Sequence, residues 1–156
     1  MKKRVEDVFF EIMKNSKKSD RDIAKTLGIS QPTVTRIRKK LEKKVIRSYT
    51  AIPYFPEVGI DLISFNFGKC ENPKKDMDVC LKQMAKSNKK TIFISSGEGL
   101  RKNCIVVALH KDYRDYVDFL TAIRLQCKND FESFLVPTTR DHTLDFSTAV
   151  INLLKK

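Results

Sequence analysis

The stretch Ser19–Leu41, Ser-Asp-Arg-Asp-Ile-Ala-Lys-Thr-Leu-Gly-Ile-Ser-Gln-Pro-Thr-Val-Thr-Arg-Ile-Arg-Lys-Lys-Leu, constrains this chain more than any other. Ser19 and Asp22 form a Ser-x-x-Asp capping pattern, and Ile23, Ala24 and Leu27 follow at helical spacing. Gly28 suits the left-handed residue that ends such a helix, where a side chain would clash. Ser30 is a cap for the next helix, and Pro32 fits a first turn whose amides lack intrahelical partners. Helix, glycine turn and second helix make a helix-turn-helix, in which the second helix enters the major groove of DNA.

The second helix sets the expected chemistry. Val34, Ile37 and Leu41 recur on one side and must face a core. At about 100° per residue, Pro32, Thr35, Arg36, Lys39 and Lys43 then point outward, flanked by Gln31, Thr33, Arg38 and Lys40. Gln pairs with adenine and Arg with guanine, so Gln31 and Arg36, early on this face, are the candidate base readers. Lys39 and Lys43 are candidate phosphate contacts.

Charge follows the motif. Residues 1–50 carry 15 Lys and Arg against 6 Asp and Glu, a net of +9, whereas the remaining 106 residues carry a net of only +3. The positive charge is concentrated on the helix-turn-helix rather than spread for solubility, which points to double-stranded DNA as the partner. No apolar run approaches the roughly 18 residues of a membrane span, and Glu6, Asp7 and Glu11 break up what would be a signal peptide. A cytoplasmic protein with no membrane partner is expected.

Catalytic and metal chemistry find little footing. Cys70, Cys80, Cys104 and Cys127 form no C-x-x-C pair and have no His at zinc-ligand spacing, so they read as reduced, mostly buried residues. The only histidines, His110 and His142, belong to no nucleophile, acid–base or metal motif. No cofactor, no metal and no enzymatic activity are expected.

Beyond Lys44 the periodicity changes. Val45 to Pro56 is rich in β-formers and closed by Pro53 and Pro56, a strand leading into a connector. Residues 60–69 alternate, with Ile63, Phe65 and Phe67 on one side and Ser64 and Asn66 on the other, the pattern of a half-buried strand. Asn72-Pro73 opens a helix with Met77, Cys80, Leu81 and Met84 as its apolar positions. Two short strands, Thr91–Ser96 and Cys104–Leu109, flank the loop Gly97–Asn103. A helix from Asp112 carries Tyr116, Val117, Leu120 and Ile123 on its apolar face, and a strand runs from Phe131 to Val136. The order β-α-β-β-α-β is the ferredoxin-like arrangement. In the tail, Phe146, Val150, Ile151 and Leu154 favour a helix over a strand. The fold class is α+β: a (winged) helix-turn-helix domain over residues 1–50, a strand and linker over 51–59, and a ferredoxin-like domain over 60–156.

Taken together, Asp22-Ile-Ala-x-x-Leu-Gly-Ile-Ser30, Thr33-Val34 and Leu41-Glu42-x-x-Val-Ile46, followed by a β-α-β-β-α-β domain, resemble the Lrp/AsnC (feast/famine) transcriptional regulators of bacteria and archaea over nearly the whole chain. The resemblance implies a regulator that binds DNA, dimerises or assembles further through its C-terminal domain, and responds to a small-molecule effector. It places the effector at the loop between the second and third strands, here Gly97, Glu98, Gly99 and Arg101. The glycines would admit a ligand to the backbone and Arg101 or Lys102 would hold a carboxylate. A plain hairpin, with glycines at positive φ, accounts for the same residues. The competing function is a metabolite-binding module or a decarboxylase-like enzyme on the same architecture.

Overall fold

The computed structural model describes residues 2–69, 88–127, 130–140 and 145–154. In chain order the elements are α1 (Lys3–Lys14), α2 (Asp20–Leu27), α3 (Gln31–Lys44), a 3-10 turn (Pro56–Val58), β1 (Leu62–Gly68), β2 (Thr91–Gly99), β3 (Lys102–His110), α4 (Tyr113–Cys127), β4 (Phe131–Pro137) and α5 (Phe146–Leu154). The helix expected from Asn72 lies outside the described residues, as do Cys70, Cys80 and His142. The chain divides into two compact units: Met1–Ile52 with Thr143–Lys156, and Pro53–His142. In this division the tail helix groups with the N-terminal helices.

The first unit is a helical cluster closed around Val8, Ile12, Ile23, Val34 and Leu41. Ser19 caps α2, its Oγ accepting from the Asp22 amide at 3.1 Å and donating to the Asp22 carboxylate at 2.5 Å. Gly28 ends that helix at φ 64°, ψ 33°, as expected for a left-handed cap. Ser30 occupies the N-cap position of α3 but makes no cap bond; its hydroxyl pairs with Thr33 Oγ1 at 2.8 Å instead. The α1–α2 turn is fastened by Lys18, which donates to Glu11 at 2.6 Å and to Thr26 at 2.8 Å. The strand expected after Val45 is not formed: residues 46–54 have no regular structure, and no partner strand reaches them within the described residues.

The second unit holds an antiparallel sheet in the order β2-β3-β1-β4, the ferredoxin-like order. Helix α4 covers one face, packing Phe119 and Ile123 on Cys104, Val106, Ala108 and Phe131. Its buried stripe is Tyr116, Phe119 and Ile123; Val117, expected inside, is 41% exposed. The alternation of β1 is present, and its polar side is the more deeply buried. Ser64 and Asn66 lie on the helix-covered face and are fully buried, whereas Phe65 and Phe67 face the other way and are only half-buried. The polar face is tolerated inside because it is hydrogen-bonded throughout. Asn66 Nδ2 donates to Ser64 Oγ at 2.8 Å and to the Val106 carbonyl at 3.0 Å, and Ser133 donates to Asn66 Oδ1 at 2.7 Å. Ser64 Oγ lies 2.7 Å from His110 Nε2.

The opposite face is apolar. Ile63, Phe65 and Phe67 on β1 stand opposite Leu109, Val107 and Ile105 on β3. Phe55 and Ile60 cover part of this face, and Phe93 and Phe134 remain 53% and 66% exposed.

Candidate nucleic-acid interface

Helix α3 presents its two faces as its spacing dictates. Val34, Ile37 and Leu41 are buried in the first unit, while Gln31, Pro32, Arg36, Lys39, Lys40 and Lys43 are exposed. Gln31, Pro32, Thr35, Arg36 and Lys39 line one shallow, open depression along the outer face of the helix. This brings a side-chain amide, a guanidinium and an ammonium onto one surface, a donor set suited to base edges and phosphates. No acidic residue lies in the first turn of α3, and Lys43 and Lys44 extend the basic face through the last.

Two residues of the expected interface are engaged inward. Arg38 donates from Nε to Asp20 Oδ1 at 2.5 Å and from Nη2 to the Lys18 carbonyl at 2.7 Å. Thr35 Oγ1 donates to the other oxygen of the same carboxylate at 2.6 Å. Burial disfavours the ionised form of Asp20, but the bonds from Thr35 and Arg38 and the charge of Arg38 outweigh it and hold this carboxyl below its ordinary value. Arg38 therefore clamps α3 to the start of α2 and is not on the exposed basic face where the helical spacing put it. Thr33 is half-buried and spends its hydroxyl on Ser30.

Tyr49 joins the same network. It donates to Glu42 Oε1 at 3.1 Å and lies near enough to Arg38 to act on its charge, tying the segment after α3 back to that helix. Nothing in the spacing of Asp20, Arg38 and Tyr49 announces these bonds, since they link positions many residues apart.

The loop of the second unit is a tight hairpin. Gly99 pairs with Lys102, so only Leu100 and Arg101 form the turn, at φ 50° and 57°. Gly99 is at positive φ, 154°, as the hairpin reading expects, but the two turn positions themselves are held by residues with side chains, each at a cost of roughly 1–2 kcal/mol. Gly97, Glu98 and Gly99 line a depression of about 230 Å³ together with Phe67, Cys104 and Ile105. Arg101 is exposed and does not line it. Lys102 does, but it is paired with Glu132 at 2.9 Å.

His110 is a core residue. It is 1% exposed and makes edge-on ring contacts with Tyr116 and Phe119, with centroids 5.5 and 5.0 Å away. His110 Nε2 shares a hydrogen bond with Ser64 Oγ, whose direction follows the tautomer of the ring, and Nδ1 is buried without a partner among the described residues. Among the described residues no His, Cys, Asp and Glu cluster could hold a metal ion, and no helix is long and apolar enough to cross a membrane.

Residues 2–44 match a protein-family model described as winged helix-turn-helix DNA-binding. A search of curated proteins finds no match. Among solved structures, AsnC of Escherichia coli is similar with a TM-score of 0.77 at 14% identity, covering 92% of this chain and 95% of that one. A transcriptional regulator of Neisseria meningitidis in complex with L-methionine gives 0.78 at 17% identity, covering 94% and 96%. The leucine response regulatory protein of Mycobacterium tuberculosis gives 0.74 at 18%, covering 90% and 94%. The resemblance read from the sequence is thus met at the level of the fold: an N-terminal helix-turn-helix of the winged DNA-binding type, within a chain that has the α+β fold of the Lrp/AsnC regulators.

Proposed function

We propose that this protein is a sequence-specific DNA-binding transcriptional regulator that works as a dimer or larger assembly and is modulated by a small metabolite. The observation that carries the reading is the exposed outer face of α3, where Gln31, Arg36 and Lys39 share one surface backed by Lys40 and Lys43. In this reading Gln31 and Arg36 meet base edges, while Lys39, Lys40 and Lys43 hold phosphates. Residues 1–50 grip DNA. One short helix reads few bases, so pairing two copies over two half-sites raises both affinity and specificity.

The apolar open face of the sheet supports self-association. Phe93 and Phe134 are exposed beside Phe65 and Phe67, a patch of the kind that marks an interface. The effector reading rests on the small depression under Gly97–Gly99 and on the strained Leu100–Arg101 turn above it. Similar structures described with bound L-methionine make amino acids the first ligands to screen. The match of residues 2–44 to a winged helix-turn-helix DNA-binding model and the likeness to solved transcriptional regulators support reading the protein as a non-enzyme acting on DNA in the cytoplasm.

Selection of bound DNA from a random pool tests the function, with a short palindromic consensus as the expected result. Arg36→Ala and Gln31→Ala should then weaken binding to that consensus by roughly 1–3 kcal/mol each while sparing random DNA. Lys43→Ala should weaken both alike. A pool with no enriched motif would overturn the regulator reading in favour of a metabolite-binding module.

A further inference from the structure

The outer face of α3 is charged and polar except at one place. Pro32 and Thr35, three residues apart, are neighbours on the helix surface, and both line the open depression that they share with Gln31, Arg36 and Lys39. Pro32 is exposed in the first turn and has no amide proton to offer. Thr35 has a hydroxyl, but that group is already committed. Oγ1 donates its single proton to Asp20 Oδ2 at 2.6 Å and lies 3.2 Å from the Gln31 carbonyl. Two acceptors around one oxygen fix the side-chain rotamer, and the proton is not free for a base. Arg38 neutralises the same carboxylate from its other oxygen, so no bare negative charge sits beneath this surface. What Thr35 keeps for the depression is its methyl group.

Chemistry narrows what such a spot can meet in the major groove. N7 and O6 of guanine, N4 of cytosine, N7 and N6 of adenine and O4 of thymine are all hydrogen-bond donors or acceptors. The one apolar group that projects from an unmodified base edge there is the C5-methyl of thymine. A polar edge pressed on Pro32 and the Thr35 methyl would lose water and gain no partner, so the spot discriminates in both directions.

We propose that Pro32 and the methyl of Thr35, held in place by the bond to Asp20, form a seat for the C5-methyl of one thymine in each half-site. The seat depends on α3 being the base-reading helix, and the experiment keeps the two apart. The probe is the consensus duplex selected from the random pool, with each thymine in turn replaced by uracil, which removes the methyl and leaves the pairing edge and charge unchanged. Binding of the full chain is measured by fluorescence anisotropy. At one thymine per half-site, uracil should weaken binding about fourfold for each methyl removed, equivalent to about 0.8 kcal/mol for one buried carbon. Thr35→Ser keeps the hydroxyl and its bond to Asp20 but lacks the methyl, so it should bind the uracil and thymine duplexes alike. Thr35→Val keeps a methyl without the hydroxyl and should retain the uracil penalty. Misfolding of a variant lowers both affinities together and leaves their ratio unchanged. If no thymine shows the penalty, if the penalty survives in Thr35→Ser, or if Thr35→Val abolishes it, the seat is refuted while α3 remains the base reader. A gain on replacing a cytosine by 5-methylcytosine, with no loss at any thymine, refutes it in favour of a methylated cytosine. A pool with no enriched motif removes the base-reading helix itself, and the seat with it.

Discussion

Replacing Arg38 by Ala separates a clamp from a DNA contact. The guanidinium and the Asp20 carboxylate are 16% and 20% exposed, so both are largely withdrawn from water. Truncation removes two charge-assisted hydrogen bonds, to Asp20 and to the Lys18 carbonyl, and leaves the carboxylate with Thr35 alone. Such bonds contribute about 1.5–3 kcal/mol each, and partial solvation of what remains brings the net loss to roughly 2–3 kcal/mol. At about 2–4 °C per kcal/mol for a chain of this size, the melting temperature should fall by roughly 5–10 °C. Arg38→Lys should recover little, because an ammonium cannot span both acceptors. The variant should also respond less to acid. With its folded value held down, Asp20 gives stability that is present above its unfolded value, about 3.9, and lost as pH falls through the lower folded one. Thermal melts from pH 3 to 7 and DNA titrations against salt would together decide the matter. An unchanged melting temperature, with a slope of log affinity against log salt shallower by about one, would refute the clamp and return Arg38 to the phosphates.

Three further outcomes are expected. Replacing Leu100-Arg101 by Asn-Gly places residues suited to positive φ in the turn, and should raise stability by about 1–2 kcal/mol in a denaturant titration unless a different turn forms. Gly68→Ala should be destabilising by roughly 1–3 kcal/mol, since an added Cβ would lie 2.5 Å from the Phe131 ring and 2.7 Å from Cys104 Sγ; a neutral change in the melt would show that the ring can move aside. Burial, opposed by Asp115 and aided by Lys90, holds His110 below its ordinary value, so it contributes stability that is full above about pH 6.5 and lost as pH falls through the lower folded value. His110→Gln should flatten that part of the pH–stability profile, and an unaltered profile would assign it elsewhere.

The helix-turn-helix was legible because its signals are local. Ser19, Asp22, Gly28 and Pro32 act within one turn of their own position, and the Val34, Ile37 and Leu41 stripe admits one buried face. The sheet was legible in order but not in orientation. Alternation in β1 says that two faces differ, whereas which face is inside depends on partners far along the chain: Val106, His110 and Ser133 satisfy Ser64 and Asn66. Arg38 escaped for the same reason, since helical spacing puts it beside the basic face and only the fold brings Asp20 to it. The Gly97–Gly99 pair suggested the turn, and Gly99 does take positive φ, but it pairs with Lys102 after a register shift and leaves the two turn positions to Leu100 and Arg101. The segment Val45–Ile52 has strand-forming residues and no strand partner in one copy, so its composition could not be cashed locally.

The docking of α5 on α1 makes the N-terminal unit a composite of the two ends of the chain, with the sheet unit as an insertion between them. During synthesis α1, α2 and α3 leave the ribosome about 100 residues before the helix that covers part of their apolar surface. The sheet unit, by contrast, is a single continuous stretch and can close as soon as β4 has emerged. The basic helices are therefore made before the sheet unit and completed after it, and their covering contacts arrive only with a chain whose sheet unit is already present.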